Sequence, residues 1–246
     1  MIDGERIQIP PQLRLQLLAL LAQDGEQGIA MTYDEFLAWA DEDTLAEWVN
    51  GRVIMTSLAS LRHQMLAQFL SRVLTGFVEV GRLGIVISAP FQMKLEQSGR
   101  EPDVLFIADT HRDRLRPTYL DGAADLVIEI LSPESIGRDR GDKFYEYEYE
   151  RACIPEYWLV DPETQRAEFY QLDAQGRYQL APLDANGIYQ SSVLPGFWLE
   201  VAWLWLDPLP SVERTLLEVA GEPYARYLTE QLRQQGFSSE PDPDKP

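Results

Sequence analysis

Cysteine occurs once in the 246 residues of the chain, at Cys153. A single thiol excludes an internal disulfide framework and fits a reducing compartment. Cys153 itself reads as a small buried residue. Histidine occurs twice, at His63 and His111, too few to build a zinc site of the usual Cys/His kind. Basic residues are also scarce: 21 Lys and Arg stand against 40 Asp and Glu, a formal net charge of −19. Broad nonspecific nucleic-acid binding relies on Lys and Arg neutralising phosphates, so this average charge opposes it. The longest apolar stretch near the N-terminus, Leu15 to Ala22, is interrupted by Gln16 and too short to span a bilayer. It reads as an amphipathic helix, not a signal peptide, and the expected setting is the cytoplasm with no membrane partner.

What the chain does have is core-forming material. Hydrophobic residues make up 45%, with six Trp, eleven Tyr and nine Phe, enough for one large domain or a domain with appendages. Thr32 and Glu35 form a capping-box pattern ahead of Phe36, Leu37 and Ala40, which predicts a helix from 32 to 40. Asn50-Gly51 between alternating apolar residues predicts a hairpin, because a type I′ turn needs positive φ at both centres. Leu61, Met65, Leu66, Phe69, Leu70 and Val73 recur at helical spacing and predict a long helix over 60–80, with His63 on its first turn. A lone histidine there is more often structural or surface than catalytic. Two short strands are expected within 84–95, a turn at Ser98-Gly99-Arg100, and polar loop or short helix over 108–121. Further on come a helix over 138–152, a strand at 157–162, a hairpin around 173–176, strand-like segments over 188–205, and two short helices over 210–219 and 223–235. Phe197, Trp198, Trp203 and Trp205 carry no interleaved basic residues, so they read as core rather than a base-stacking platform. The expected organisation is a helical extension over 1–29, a main domain over 30–206, and C-terminal helices with a disordered tail over 207–246.

The chemistry concentrates between Glu101 and Lys143. Asp103 opens the apolar run Val104-Leu105-Phe106-Ile107. Glu129 sits inside Leu126-Val127-Ile128-Glu129-Ile130-Leu131, which reads as a buried strand. A carboxylate there is costly unless a metal, a cation or hydrogen-bond donors hold it. Two acids on two strands with Lys143 on the following helix suggest a divalent-metal site for phosphodiester hydrolysis. The residues alone leave a second possibility of similar weight: Asp103 caps a turn, and Glu129 pairs with Lys143 or an arginine as a buried ion pair. Between the acids, His111-Arg112-Asp113-Arg114-Leu115-Arg116 is a local basic cluster, either a phosphate-facing patch or a solvated loop.

An ordered set of short segments resembles a known family. It comprises the Glu47–Gly51 hairpin, His63, Pro102-Asp103, Ile128-Glu129-Ile130-Leu131-Ser132-Pro133, Asp139 with Lys143, and Ile154-Pro155-Glu156-Tyr157-Trp158-Leu159-Val160-Asp161-Pro162. Over roughly residues 30–205 these resemble the Uma-type restriction endonucleases, a branch of the PD-(D/E)XK nuclease superfamily. The resemblance implies an α/β (α+β) fold with a restriction-endonuclease-like core, a central mixed β-sheet flanked by helices, and extra C-terminal strands and helices. It implies a Mg²⁺-dependent DNA endonuclease, with Mn²⁺ as a substitute; since a nuclease that cuts both strands often works as a dimer, a homodimer is expected, with the N-terminal helix and the tryptophan-rich segment as candidate contacts. Asp103 and Glu129 would then hold the metal, Glu47 would bind or orient a second ion or a water, and Lys143 would act beside the phosphate. The superfamily's lysine position, two residues after the second acid, holds Leu131, which makes Lys143 the relocated lysine. The repeat Glu146-Tyr147-Glu148-Tyr149 adds two residues to the family spacing, a rotation of about 200° along a helix. If the added pair follows Lys143, that residue keeps its place; if the helix is registered from its far end, Tyr145 takes the position. The leading alternative is a catalytically degenerate module on the same fold that binds nucleic acid or a protein partner.

Overall fold

The computed structural model describes residues 29–40, 46–55, 59–131 and 144–234. The expected N-terminal helix over 11–23 and the C-terminal tail from 238 lie outside these residues.

Thr32 caps helix α1 (Tyr33–Trp39): its side chain accepts from Glu35 N at 3.2 Å, and Glu35 Oε2 accepts from Thr32 N at 2.7 Å. The hairpin follows as expected, with β2 (Ala46–Val49) and β3 (Arg52–Met55) joined through Asn50 and Gly51 at φ 49° and 78°. Ser60 then caps α2 (Leu61–Gly81) by accepting from His63 N at 3.1 Å. That cap sets the rotation of the helix. His63, Leu66, Leu70 and Val73 all fall on its buried stripe.

Two six-stranded sheets are built from the described residues. The central one runs β12 (Tyr178–Leu180), β11 (Arg166–Leu172), β10 (Glu156–Asp161), β9 (Leu126–Ile130), β7 (Val104–Ala108), β4 (Gly84–Ser88). It is mixed: β9 and β10 are parallel, the other pairs antiparallel. The second sheet runs β1 (Ile29–Ala30), β3, β2, β6 (Ser98–Arg100), β5 (Gln92–Lys94), β8 (Tyr119–Asp121). Here the sequence reading needs correction. Ser98-Gly99-Arg100 is not a turn but a strand, paired with β2 at Trp48↔Gly99 and with β5 at Lys94↔Gly99. A polar, glycine-containing triplet carries no strand signal, yet all three residues are buried between neighbours that supply the pairing.

Alternation along β7 and β9 divides the core. Val104, Phe106, Leu126, Ile128 and Ile130 point to one face, where α2 packs with α4 (Val212–Val219), α5 (Glu222–Gln234) and the hairpin β13 (Ile188–Gln190)–β14 (Trp198–Glu200). Leu105, Ile107 and Val127 point to the other face, against Met93 and Leu120 of the second sheet and Tyr149 of α3 (Phe144–Arg151). Phe197 and Trp203 are buried in the first of these cores, as the sequence suggested.

Cys153 is also a correction: it is exposed, not buried. It follows α3 with φ 58°, and its amide donates to Glu150 O at 3.0 Å while Ile154 N donates to Tyr149 O at 3.1 Å. The left-handed residue of such a helix C-cap turns away from the core, so Ile154 is buried and Cys153 faces solvent.

Glu156 is fully buried. Its Oε2 accepts from Ser192 N at 2.7 Å, Ser192 Oγ at 2.6 Å, Ser191 Oγ at 3.1 Å and Val193 N at 3.2 Å, and its Oε1 from Trp158 Nε1 at 2.7 Å. One carboxylate therefore fixes the 191–193 turn onto β10. Glu156→Ala orphans these donors and is expected to lower the unfolding free energy by about 3–5 kcal/mol, read from urea denaturation midpoints at constant slope.

Candidate active site

Asp103 and Glu129 arrive at the same end of the central sheet. The antiparallel register of β7 and β9 pairs Val104 with Ile128, so Asp103 and Glu129 occupy the next opposed positions. Asp103 Oδ2 accepts from Ile130 N at 2.7 Å and lies 3.2 Å from His63 Nε2. Its side chain is 17% exposed. Glu129 is half-buried on the face of the sheet that carries Val127, and Tyr149 Oη donates to its Oε1 at 2.7 Å. His63 is buried; burial alone would lower its pKa, but the hydrogen bond and charge of Asp103 outweigh that and hold it above the usual value.

Glu47 enters from the hairpin. It stands opposite Arg100 by the β2–β6 register, and its Oε2 accepts from Arg100 Nη1 at 3.1 Å. Its Oε1 accepts from Glu101 N at 3.1 Å, two residues ahead of Asp103. Arg100 is itself buried and turns its Nε and Nη2 to Glu148 Oε2 at 3.0 and 2.9 Å, while Ser98 Oγ donates to Glu148 Oε1. Burial raises the Glu148 carboxyl above its usual range against the pull of Arg100. Glu101 accepts from Gln92 Nε2 at 3.2 Å. Burial, together with the charge of Glu47, pushes Glu101 up to about 7 despite that hydrogen bond.

The structure thus brings Asp103 and Glu129 to one sheet end and places Glu47 beside the segment leading into Asp103. Lys143 and Asp139 lie outside the described residues. His63, Tyr149, Arg100, Glu101 and Glu148 join this region without having been predicted as site residues. His63 had a signal, since it falls on the apolar stripe of its helix; Arg100 and Glu148 had none, because their pairing joins β6 to α3 across 48 residues.

Magnesium is held by hard oxygen donors, usually one or two carboxylates completed by waters and phosphate oxygens. Asp103 and Glu129 fit that pattern as two carboxylates with solvent access on opposed strand positions. Among the described residues no three His, Cys, Asp or Glu side chains are grouped to share one ion, so a tight all-protein cage is not what these donors form.

The basic loop is spent internally. Arg112 pairs with Asp109 at 3.0 Å, Arg114 donates to Ala123 O at 2.7 Å, Arg116 pairs with Asp121 at 3.2 Å, and His111 Nδ1 lies 2.8 Å from Asp125 Oδ1.

Comparison with known proteins decides the family. The model of the Uma2 family, described as "Putative restriction endonuclease", matches residues 33–202. This chain belongs to the Uma2 family. The matched span includes Glu47, His63, Asp103, Glu129 and Tyr149. The chain is 28% identical over 166 residues to the Synechocystis protein sll1609, covering 62% of this chain and 87% of that protein. It is 25% identical over 155 residues to slr1290 of the same organism, covering 62% and 80%. A crystal structure from Anabaena variabilis, titled as a "putative nuclease belonging to DUF820", superposes with a TM-score of 0.60 at 19% identity, over 71% of this chain and 97% of that one. At that identity the likeness establishes a shared fold. Among the described residues no helix is long and apolar enough to cross a membrane.

The Glu101 carboxyl gives a pH signature with a definite sign. Its folded pKa is raised from 4.5 to about 7, so the folded state holds a proton that the unfolded state has lost. Its contribution is fully present below 4.5 and is lost as pH rises through 7. Glu101→Gln in metal-free buffer is therefore expected to be more stable than wild type at pH 8, by on the order of 2 kcal/mol, and equal to it at pH 4. Denaturant melts at the two pH values read this directly.

Proposed function

We propose that this chain is a Mg²⁺-dependent DNA endonuclease that hydrolyses phosphodiester bonds, with Mn²⁺ able to substitute. The observation that carries the reading is the pair Asp103 and Glu129, opposed in register at one end of the central sheet of a Uma2 fold. Asp103 and Glu129 would hold the ion. A bound Mg²⁺ supplies Lewis acidity toward a phosphate oxygen and lowers the pKa of water at the site. The chain's own groups do the rest. Ile130 N–H and His63 draw one oxygen of Asp103 inward, and Tyr149 draws one oxygen of Glu129. Glu47, buried between Arg100 and the Glu101 backbone, would orient a water or a second ion. Lys143, by its resemblance to the relocated family lysine, places a point charge near the scissile phosphate.

A second reading has its own support. The chain carries −19 charges, and the arginines of the 111–116 loop already have acceptors. That favours a module on the nuclease fold that holds a protein partner or nucleic acid without cutting it.

Calorimetric titration of Mn²⁺ separates the two without knowledge of the substrate sequence. Wild type is expected to bind, and Asp103→Ala to lose binding by at least 100-fold. Plasmid nicking in Mg²⁺ should fall by a comparable factor in Asp103→Ala and Glu129→Gln. Nicking that survives Asp103→Ala removes the nuclease reading, and a folded wild type that binds no Mn²⁺ favours the interaction module. Cutting both strands of a duplex calls for two sites, which a homodimer would supply. Sedimentation equilibrium is expected to give twice the chain mass of 28.1 kDa, and a monomer mass would count against it.

A further inference from the structure

We infer that His63 and Tyr149 are positioning residues, one for each carboxylate of the proposed metal pair: His63 orients Asp103, and Tyr149 orients Glu129. The inference rests on the metal-dependent reading of the site and extends it to two helices that carry no ligand themselves.

Both contacts bring a donor from a packed helix to a carboxylate at the end of the central sheet. Asp103 directly precedes β7, and its carbonyl accepts from Ala89 N at 3.1 Å, one step past the Ser88–Val104 pair of β4 and β7. Its Oδ2 takes both donors, Ile130 N–H at 2.7 Å and His63 Nε2 at 3.2 Å. Among the described residues Oδ1 has no donor, so the carboxylate is pinned by one oxygen with the other left to coordinate. On the other acid, Glu129 Oε1 accepts from the Tyr149 hydroxyl at 2.7 Å. The donors themselves cannot wander. Tyr149 is fully buried, with its ring edge-on to Tyr157 at 5.3 Å and 82°. His63 sits on the buried stripe of α2, and its amide is tied to the Ser60 cap at 3.1 Å.

A structural histidine of a packed helix is ordinarily satisfied at both ring nitrogens. Here Nδ1 is buried with no partner among the described residues, while Nε2 is turned to Asp103. The ring is therefore set by the carboxylate rather than by its own hydrogen-bonding needs. Partners of this kind fix ligand orientation, and their loss typically weakens metal binding 10–100-fold.

The test is calorimetric titration of Mn²⁺ into the full chain, with melting temperatures measured on the same samples. Tyr149→Phe removes one oxygen from an otherwise retained ring and is expected to weaken Mn²⁺ binding about 10–100-fold with the melting temperature nearly unchanged. His63→Leu should weaken it similarly, and His63→Gln, which keeps an N–H donor near Nε2, should recover most of the affinity. That rescue is not expected if the ring merely fills space. Asp103→Ala is the control on the underlying reading. If wild type fails to bind, or Asp103→Ala still binds, the metal reading falls and takes this assignment with it. If wild type binds, Asp103→Ala does not, and Tyr149→Phe and His63→Leu both match wild type, the positioning roles are overturned and the metal pair stands.

Discussion

The buried guanidinium of Arg100 holds the site region together. It lies between Glu47 and Glu148, with Ser98 completing the second carboxylate. Removing a charge of this kind from water costs several kcal/mol, recovered only through close geometry and satisfied donors. Arg100 meets that condition by spending three of its N–H groups on two acids. The consequence is mechanical. One residue clamps the β2–β3 hairpin and α3 onto β6, and the chain leaving β6 runs directly into Asp103. The next helix residue after Glu148 is Tyr149, whose hydroxyl reaches Glu129. The arginine thus stands one short step along the chain from each carboxylate of the proposed pair.

The central sheet supplies the other constraint. β7 and β9 alternate residues between two cores and end side by side, so an acid at the start of one and near the end of the other must be neighbours. Helices on opposite faces then send in their donors, His63 from α2 and Tyr149 from α3. A Uma2 fold can in this way hold two carboxylates on strand termini, where backbone geometry is well determined, and trim their orientation from rigid neighbours. The same arrangement explains the modest donor set. On the proposed metal reading, two carboxylates would leave most of an ion's coordination to water and phosphate.

Local chemistry was legible wherever the responsible residues are close in sequence. The Thr32–Glu35 capping box, the Asn50-Gly51 turn, the Ser60-capped helix and the alternating runs around Asp103 and Glu129 form because nearby atoms satisfy one another. The same short-range logic failed at Ser98–Arg100 and at Cys153. The first is a strand only because β2 and β5 lie on either side of it, and the second is exposed because a helix cap twists it outward.

By itself, then, the sequence determined the main helices, the Asn50-Gly51 hairpin and the two acids at strand ends, since periodicity and turn chemistry are properties of neighbouring residues, while the mixed α/β class came from the family resemblance. The tertiary structure decided what surrounds those acids. His63 finds Asp103 across 40 positions, Arg100 finds Glu47 and Glu148 across 53 and 48, and Tyr149 finds Glu129 across 20. None of these pairings has a local signature, because a buried ion pair or hydrogen bond is selected by the shared cost of leaving either partner alone in the core. That cost exists only once the core has formed.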